Sequence, residues 1–188
     1  MKRIVVGITG ATGVIYGIRL LEVLKDLKVE VHLILSDAAK RNISIETSFK
    51  IERVKRLAYK VYDINNLAAP ISSGSFKTDS MVIAPCTIKT LSGIANSYNE
   101  NLIVRAADVV LKERRRLILV VRETPLHKGH LELMCKVADL GGIILPPIPA
   151  FYHAPRSIQD IIDHTVGKIL DLLDVDNSLF KRWEGITS

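Results

Sequence analysis

The sequence predicts a doubly wound α/β fold, a mostly parallel sheet with helices on both faces. Strand-like apolar runs alternate with helix-period segments from end to end. Those runs are continuous rather than alternating in polarity, as expected of strands covered on both sides. The first of them opens through a glycine-rich turn straight into a helix.

The elements follow in order. Ile4–Thr9 reads as a buried strand, and Val14–Leu27 as a helix with Ile15, Ile18, Leu21 and Leu24 inward. Val29–Leu35 is a second strand, followed by a helix from about Asp37. Val61–Asp63 is a short strand before a loop rich in Ala, Pro, Ser and Gly. Ser80–Ala84 is a strand, Thr87–Asn96 a helix and Asn101–Arg115 another. Leu117–Val121 is strand-like, Gly129–Leu140 helical and Gly142–Leu145 the last strand. A helix from near Ser157 to Leu173 precedes a tail from about residue 175. With 188 residues and no internal repeat, residues 1–188 read as one domain.

Composition excludes several classes. Hydrophobic residues make up 48% and charged ones 24%, an ordinary globular balance. No apolar run approaches the roughly 18 residues of a membrane span, and the N-terminus lacks a signal-peptide pattern, so a cytoplasmic location is expected. The net charge of +6 suits phosphorylated ligands as well as nucleic acid or a membrane surface. Aromatic residues do not interleave with basic ones, which argues against nucleic acid. The densest basic cluster, Lys112–Arg116, ends a helix, where cations complement the dipole. Cys86 and Cys135 have neither disulfide nor zinc spacing. Cys135 reads as a small buried residue. Cys86 follows a strand and a proline, where it can line a site. The histidines show no ligand spacing on one helix face, so no metal is expected.

In a doubly wound sheet, ligands sit beyond the C-terminal ends of the strands. The first such loop is Gly7-Ile8-Thr9-Gly10-Ala11-Thr12-Gly13. Its glycines allow close backbone approach, and the helix that follows favours an anion at its N-terminus. The spacing is G-x-x-G-x-x-G rather than the dinucleotide G-x-G-x-x-G. Ser36 ends the second strand where a carboxylate ordinarily holds a ribose, and Asp37 comes one place late, which weakens an NAD reading. Ser72-Ser73-Gly74-Ser75 suits either an anion nest or a flexible surface loop. Thr87 is a natural helix cap whose neighbours can equally receive a phosphate. Arg105 and Lys112 share one helix face, with Asp108 between them as a salt-bridge partner. Arg122-Glu123 at a strand end offers a phosphate anchor beside a proton carrier, or a surface ion pair. The prolines of Pro146–Pro149 stiffen the approach to Phe151 and Tyr152, fixed walls for a flat or apolar ligand or for a neighbouring subunit.

Taken together, these segments resemble the UbiX-type flavin prenyltransferases, once described as aromatic acid carboxy-lyases. The matching stretches are Gly7–Gly13 with Tyr16-Gly17, Ser72–Phe76, Ala84-Pro85-Cys86 through Leu91, Arg105–Asp108, Leu111–Arg115, Arg122–Pro125, Pro149–Tyr152 and Arg182-Trp183. The resemblance runs over nearly the whole chain and implies a Rossmann-like flavoprotein fold. It implies reduced FMN as acceptor, dimethylallyl phosphate as donor and no metal. It further implies a homododecamer with sites between subunits, and a product passed to a prenylated-FMN-dependent decarboxylase. By that resemblance Gly10, Ala11, Thr12, Ser36, Thr87, Ile88, Lys89, Thr90 and Arg122 hold FMN. Glu46, Arg105, Lys112, Tyr152, Lys168 and Trp183 surround the donor. Glu123, Thr12 and Lys112 are the catalytic candidates, Glu123 for proton handling and Thr12 near the flavin N5. The family reaction bonds the prenyl group to N5 and then to the ring carbon C6, closing a fourth ring.

The chemistry agrees with these residue types. A departing phosphate gathers negative charge, which converging Arg105, Lys112, Arg122 and Lys168 stabilise. An allylic cation favours an electron-rich face such as Tyr152 or Trp183. Two positions depart from the family pattern: Thr12 stands where Ser is usual, and Lys168 where Arg is usual, keeping the charge but losing the bidentate fork. Three other readings remain at this point. One is a flavin-dependent cysteine decarboxylase, which needs a histidine that Asp37–Thr47 lacks. The others are a non-catalytic flavin carrier for a decarboxylase and an NAD oxidoreductase.

Overall fold

The computed structural model describes residues 2–185. Among them the chain forms β1 (Arg3–Ile8), α1 (Val14–Asp26), β2 (Glu30–Leu35), α2 (Asp37–Glu46), α3 (Ile51–Lys55) and β3 (Lys60–Tyr62). After a 3-10 turn at Pro70–Ser72 come β4 (Ser80–Cys86), α4 (Ile88–Ala95), α5 (Leu102–Lys112), β5 (Arg116–Val121), α6 (Lys128–Asp139), β6 (Gly142–Ile144) and α7 (Ile158–Leu172). The six strands are all parallel in the order β3-β2-β1-β4-β5-β6. The chain winds outward from β1 to β3, then restarts at β4 on the other side of β1. The switch point lies between β1 and β4.

Helix starts are set by local chemistry. Ser36, Thr87 and Asn101 each accept a backbone N–H from the first turn of α2, α4 and α5 at 3.0, 3.2 and 3.1 Å. Ser157 opens α7 in a reciprocal capping box with Asp160. Gly13, at φ 90°, adopts a left-handed conformation that only glycine takes without strain, turning the first loop into α1.

Two apolar cores sandwich the sheet. Ile4, Val6 and Ile8 face α1, α2 and α7, whereas Val5, Met81 and Ile83 face α4 and α5, with Val137 of α6. Helix α7 returns across β6 to lie on α1, burying Ile162, Val166, Ile169 and Leu170. Burial of each such side chain contributes about 1.5–3 kcal/mol, more than an exposed ion pair of about 0–1 kcal/mol. Packing therefore sets this return, and charge finishes it. Lys2 Nζ donates to the Leu173 carbonyl at 2.5 Å and the Asp174 carbonyl at 2.6 Å, and Arg116 reaches the Leu172 carbonyl. These cations satisfy the open C-terminal end of α7. Buried His32 is satisfied on both ring nitrogens, by the Tyr62 hydroxyl and the Glu30 carboxylate, each at 2.8 Å.

The strand and helix order agrees with the sequence reading, with local corrections. The five-residue α3 is additional; it buries only Val54, too little to give a helical period. Helix α1 stops at Asp26, Leu27 is exposed, and Ile15 is half-buried rather than fully inward. Helix α5 stops at Lys112, not Arg115, because Arg114 takes a left-handed φ of 56° before β5 begins. Cys135 is exposed. It falls between Leu133 and Val137, the positions that share the inward face. Cys86 is fully buried between β4 and β5, and burial pushes its thiol far up, so it lines no site.

Candidate functional site

The crevice at the switch point is locked by one side chain. Thr9 Oγ1 donates to the Pro85 carbonyl at 2.7 Å and accepts from the Thr87 N–H at 2.9 Å, tying the ends of β1 and β4. Beyond this latch opens a cavity of about 440 Å³, lined by residues that include Thr9, Gly10, Ser36, Asp37, Ile64, Asn65, Thr87, Lys89, Thr90, Asn101 and Ile103. The N-caps of three helices, Ser36, Thr87 and Asn101, all lie on its wall. Helix N-termini present open N–H groups and a positive dipole end, so their convergence suits a phosphate. Ile64 and Ile103 give the same cavity an apolar side for a flat ring. Asn65 and Asp37 offer partners for hydroxyls.

The glycine loop is fixed from α2. Asn42 Nδ2 donates to the Gly10 carbonyl at 3.0 Å and the Ala11 carbonyl at 3.3 Å. Glu46 Oε2 accepts from the Gly13 and Val14 N–H groups at 2.8 and 3.2 Å, capping α1 with a carboxylate from another helix. Gly17 lies where α1 crosses β4. A Cβ there would collide with the Ala84 carbonyl oxygen and press on Ile8, so the position requires glycine. At the rim Lys89 Nζ is 3.1 Å from Glu100, and the Lys40 ammonium holds the Asp37 carboxyl below its usual range.

Of the expected flavin residues, Gly10, Ser36, Thr87, Lys89 and Thr90 line the cavity. Ala11 and Thr12 lie in the adjoining loop and Ile88 begins α4. Arg122 stands at the end of β5, its N–H donating to the Cys86 carbonyl at 3.1 Å. Glu123 is exposed and accepts only its neighbouring Thr124 N–H, at 3.1 Å, among the described residues; it forms no ion pair with Arg122 there. Asn42, Asn65, Asn101 and Ile103 went unnoticed in the sequence. The cap signature at Asn101 ahead of an apolar helix was the available signal for that one.

The loop 72–76 is tied down through its carbonyls. Arg115 donates to the Gly74 carbonyl at 2.7 Å and the Phe76 carbonyl at 3.1 Å, and Arg105 Nε donates to the Ser72 carbonyl at 3.1 Å. Arg105 also meets Asp108 at 3.1 Å, as expected from their spacing. Lys112 pairs with Glu113 at 2.6 Å.

The expected donor residues are not gathered by one chain. Arg105 and Lys112 lie on α5, with Lys112 about 10 Å further along the axis. Lys168 lies on α7, across the sheet from α5, and is 3.7 Å from Asp171. Tyr152 and Trp183 stand together near α7, ring centroids 5.9 Å apart.

A polar crevice beneath three helix N-termini, at the switch point of a six-stranded parallel sheet, defines a mononucleotide-binding α/β protein. A flavoprotein family model matches residues 1–178. The flavin prenyltransferase UbiX of Thauera aromatica is 57% identical over 183 residues, covering 97% of this chain and 94% of the relative. The crystal structure of AnUbiX (PadA1) in complex with FMN and dimethylallyl pyrophosphate is similar at a TM-score of 0.97 and 50% identity, covering 99% of each chain. A dodecameric FMN-dependent UbiX-like decarboxylase from Escherichia coli O157:H7 follows at 0.95 and 44%, covering 97% of this chain and 100% of that one. The chain belongs to the flavin prenyltransferase family.

Proposed function

We propose that this protein transfers a dimethylallyl group from dimethylallyl phosphate to reduced FMN, releasing phosphate. The observation that carries the proposal is the 440 Å³ cavity under three capped helix N-termini, in a chain of this family. FMN fits the residues present. Open N–H groups at the starts of α4 and α2 would receive its phosphate, Asn65 and Asp37 would meet hydroxyls, and Ile64 and Ile103 would border its ring. Bound and reduced, it supplies the nucleophilic nitrogen and ring carbon.

The carbon–oxygen bond of the donor would break with its electron pair going to phosphate, while the flavin nitrogen would take the allyl carbon and give up its N–H proton to the departing phosphate. Arg105, Lys112, Arg122 and Lys168 are the cations proposed to stabilise that charge. Closure onto the ring carbon adds a proton to the prenyl alkene and removes one from that carbon. Glu123, a carboxyl at the C-terminal end of β5, is the group proposed for both transfers. Thr12 contributes a hydroxyl beside the flavin.

Because α5 and α7 lie on opposite faces of the sheet, one chain cannot surround a donor with all these cations. We therefore assign the complete site to contacts between copies, in a homododecamer like the UbiX-like relative. Neighbours covering the crevice also exclude water, which would otherwise capture the allylic carbon. Residues 1–188 act as one FMN-binding domain in the cytoplasm, and the prenylated product serves a partner decarboxylase. No helix among the described residues is long and apolar enough to cross a membrane.

The test is anaerobic incubation with reduced FMN and dimethylallyl phosphate, then mass spectrometry of the extracted flavin. A flavin heavier by one five-carbon unit, lost in Glu123→Gln, is expected. Flavin that returns unmodified from both mono- and diphosphate donors would overturn the proposal in favour of a carrier.

A further inference from the structure

The Tyr152 hydroxyl lies 3.2 Å from Nε2 of His164 on α7, and the two rings meet edge to face with centroids 5.7 Å apart. His164 is only 9% exposed, and its remaining faces are taken. His153 stacks on it at 4.9 Å with 8° between the planes, and Phe180 meets it at 4.7 Å. Trp183 closes the other side of Tyr152. Tyr152 itself is 46% exposed, and with Arg182 and Trp183 it lines a small cavity of about 150 Å³. A half-exposed phenol is thus fastened from behind by a buried, immobile imidazole. Tyrosine has only two free torsions, so one hydrogen bond and two aromatic walls fix both.

We propose that His164 is the positioning residue for the prenyl-donor site, its neutral imidazole accepting the Tyr152 hydroxyl and so setting the angle at which that tyrosine meets the donor. The inference rests on the assignment of Tyr152 and Lys168 to the donor. Lys168 lies one turn beyond His164 on the same face of α7. His164 therefore stands directly behind both groups.

The surroundings keep the imidazole uncharged. Burial, then the neighbouring His153 and Lys168, hold its pKa below the ordinary histidine range, with Asp171 opposing. Asp171 is itself engaged by Arg182 at 2.7 Å, and from α1 Arg19 is bound to Asp163 at 2.7 Å. His153 has both ring nitrogens buried without a partner among the described residues, so it does not hold the tyrosine. Protonation of His164 turns Nε2 from acceptor to donor and sets a positive charge against His153 and Lys168. Tyr152 then loses its hold as the pH falls below the histidine range.

The test is steady-state prenyl transfer by His164→Phe, His164→Gln, Tyr152→Phe and the Tyr152→Phe/His164→Phe pair. Loss of one hydrogen bond predicts a KM for dimethylallyl phosphate raised about 5- to 10-fold in His164→Phe. FMN affinity stays unchanged, and the acid limb of kcat/KM below about pH 6.5 disappears. His164→Gln restores an acceptor, recovering KM without the pH dependence, and the double variant loses no more than Tyr152→Phe alone. A folded His164→Phe with wild-type KM and pH profile, beside a Tyr152→Phe with raised KM, overturns the inference alone. If Tyr152→Phe leaves KM unchanged, the inference falls with the assignment of Tyr152 to the donor, and if the wild type makes no prenylated flavin it falls together with the functional reading. Should His164→Phe not fold, a His164→Gln that keeps the wild-type acid limb overturns it equally.

Discussion

Thr9 and Pro85 are joined across the switch point by a 2.7 Å hydrogen bond from the threonine hydroxyl to the proline carbonyl, and the same hydroxyl receives the Thr87 N–H at 2.9 Å. Together with the Thr9 N–H, which donates to the same carbonyl at 3.2 Å, this buried oxygen sets the spacing between the end of β1 and the start of α4, the two edges of the cavity.

Thr9→Val keeps the shape and removes both bonds. Buried groups left unsatisfied cost about 1–3 kcal/mol, so the urea midpoint falls by that equivalent at unchanged slope. FMN affinity, followed by flavin fluorescence quenching, weakens in the same variant because the α4 N-terminus is released.

Gly17→Ala adds a methyl where α1 meets the Ala84 carbonyl. The gain in helix propensity, about 1 kcal/mol, is outweighed by overpacking of about 1–3 kcal/mol or more. A lower Tm is expected, against the rise that a glycine-to-alanine change brings to an open helix position. An unchanged or raised Tm would show that α1 moves off β4 without cost.

Arg115→Met retains a long apolar stem but gives up the bonds to Gly74 and Phe76. The expected result is faster amide exchange in residues 72–76, with the exchange of β4 and β5 preserved. Uniform acceleration through the sheet would instead mean that the arginine holds up the whole fold.

Acidity acts on stability through His164. Burial, with His153 and Lys168, holds this histidine below the ordinary value of 6.5 when folded. The unfolded chain therefore takes up the proton first, so this contribution is intact above about pH 6.5 and declines as pH falls through the lower folded value. Urea midpoints between pH 5 and 7.5 fall towards the acid side in the wild type. In His164→Phe the decline is shallower.

Much of this was legible in the sequence, for identifiable reasons. Continuous apolar runs declare a parallel sheet, and the capping residue Thr87 declares a helix start that faces its ligand end. What escaped was structure that depends on distant partners. Glu46 is placed at the donor by the family resemblance, and its role as the cap of α1 emerges only when the two helices meet. Asn42 holds the glycine loop from 32 residues away. The serine-rich loop reads as equally suited to a flexible surface segment until Arg105 and Arg115 are seen fastening its carbonyls. Cys135 was misplaced through composition, its neighbours being apolar although its phase on α6 points outward. The residues expected at the donor come from the family resemblance as a set, and their division between two faces of the sheet is a matter of winding direction, which no local motif carries.

The return of α7 onto α1 has a consequence for how the protein is made. The apolar face of α1, with Ile18 and Leu21, leaves the ribosome well before α7, the helix that covers it. At about 5–20 residues per second, that face waits on the order of ten seconds for its cover. During translation the nascent chain therefore carries an exposed greasy stripe until α7 has been made. Stalled or prematurely terminated chains lacking α7 will present that stripe to chaperones and proteases, whereas chains that include it conceal the stripe as Lys2 closes on Leu173.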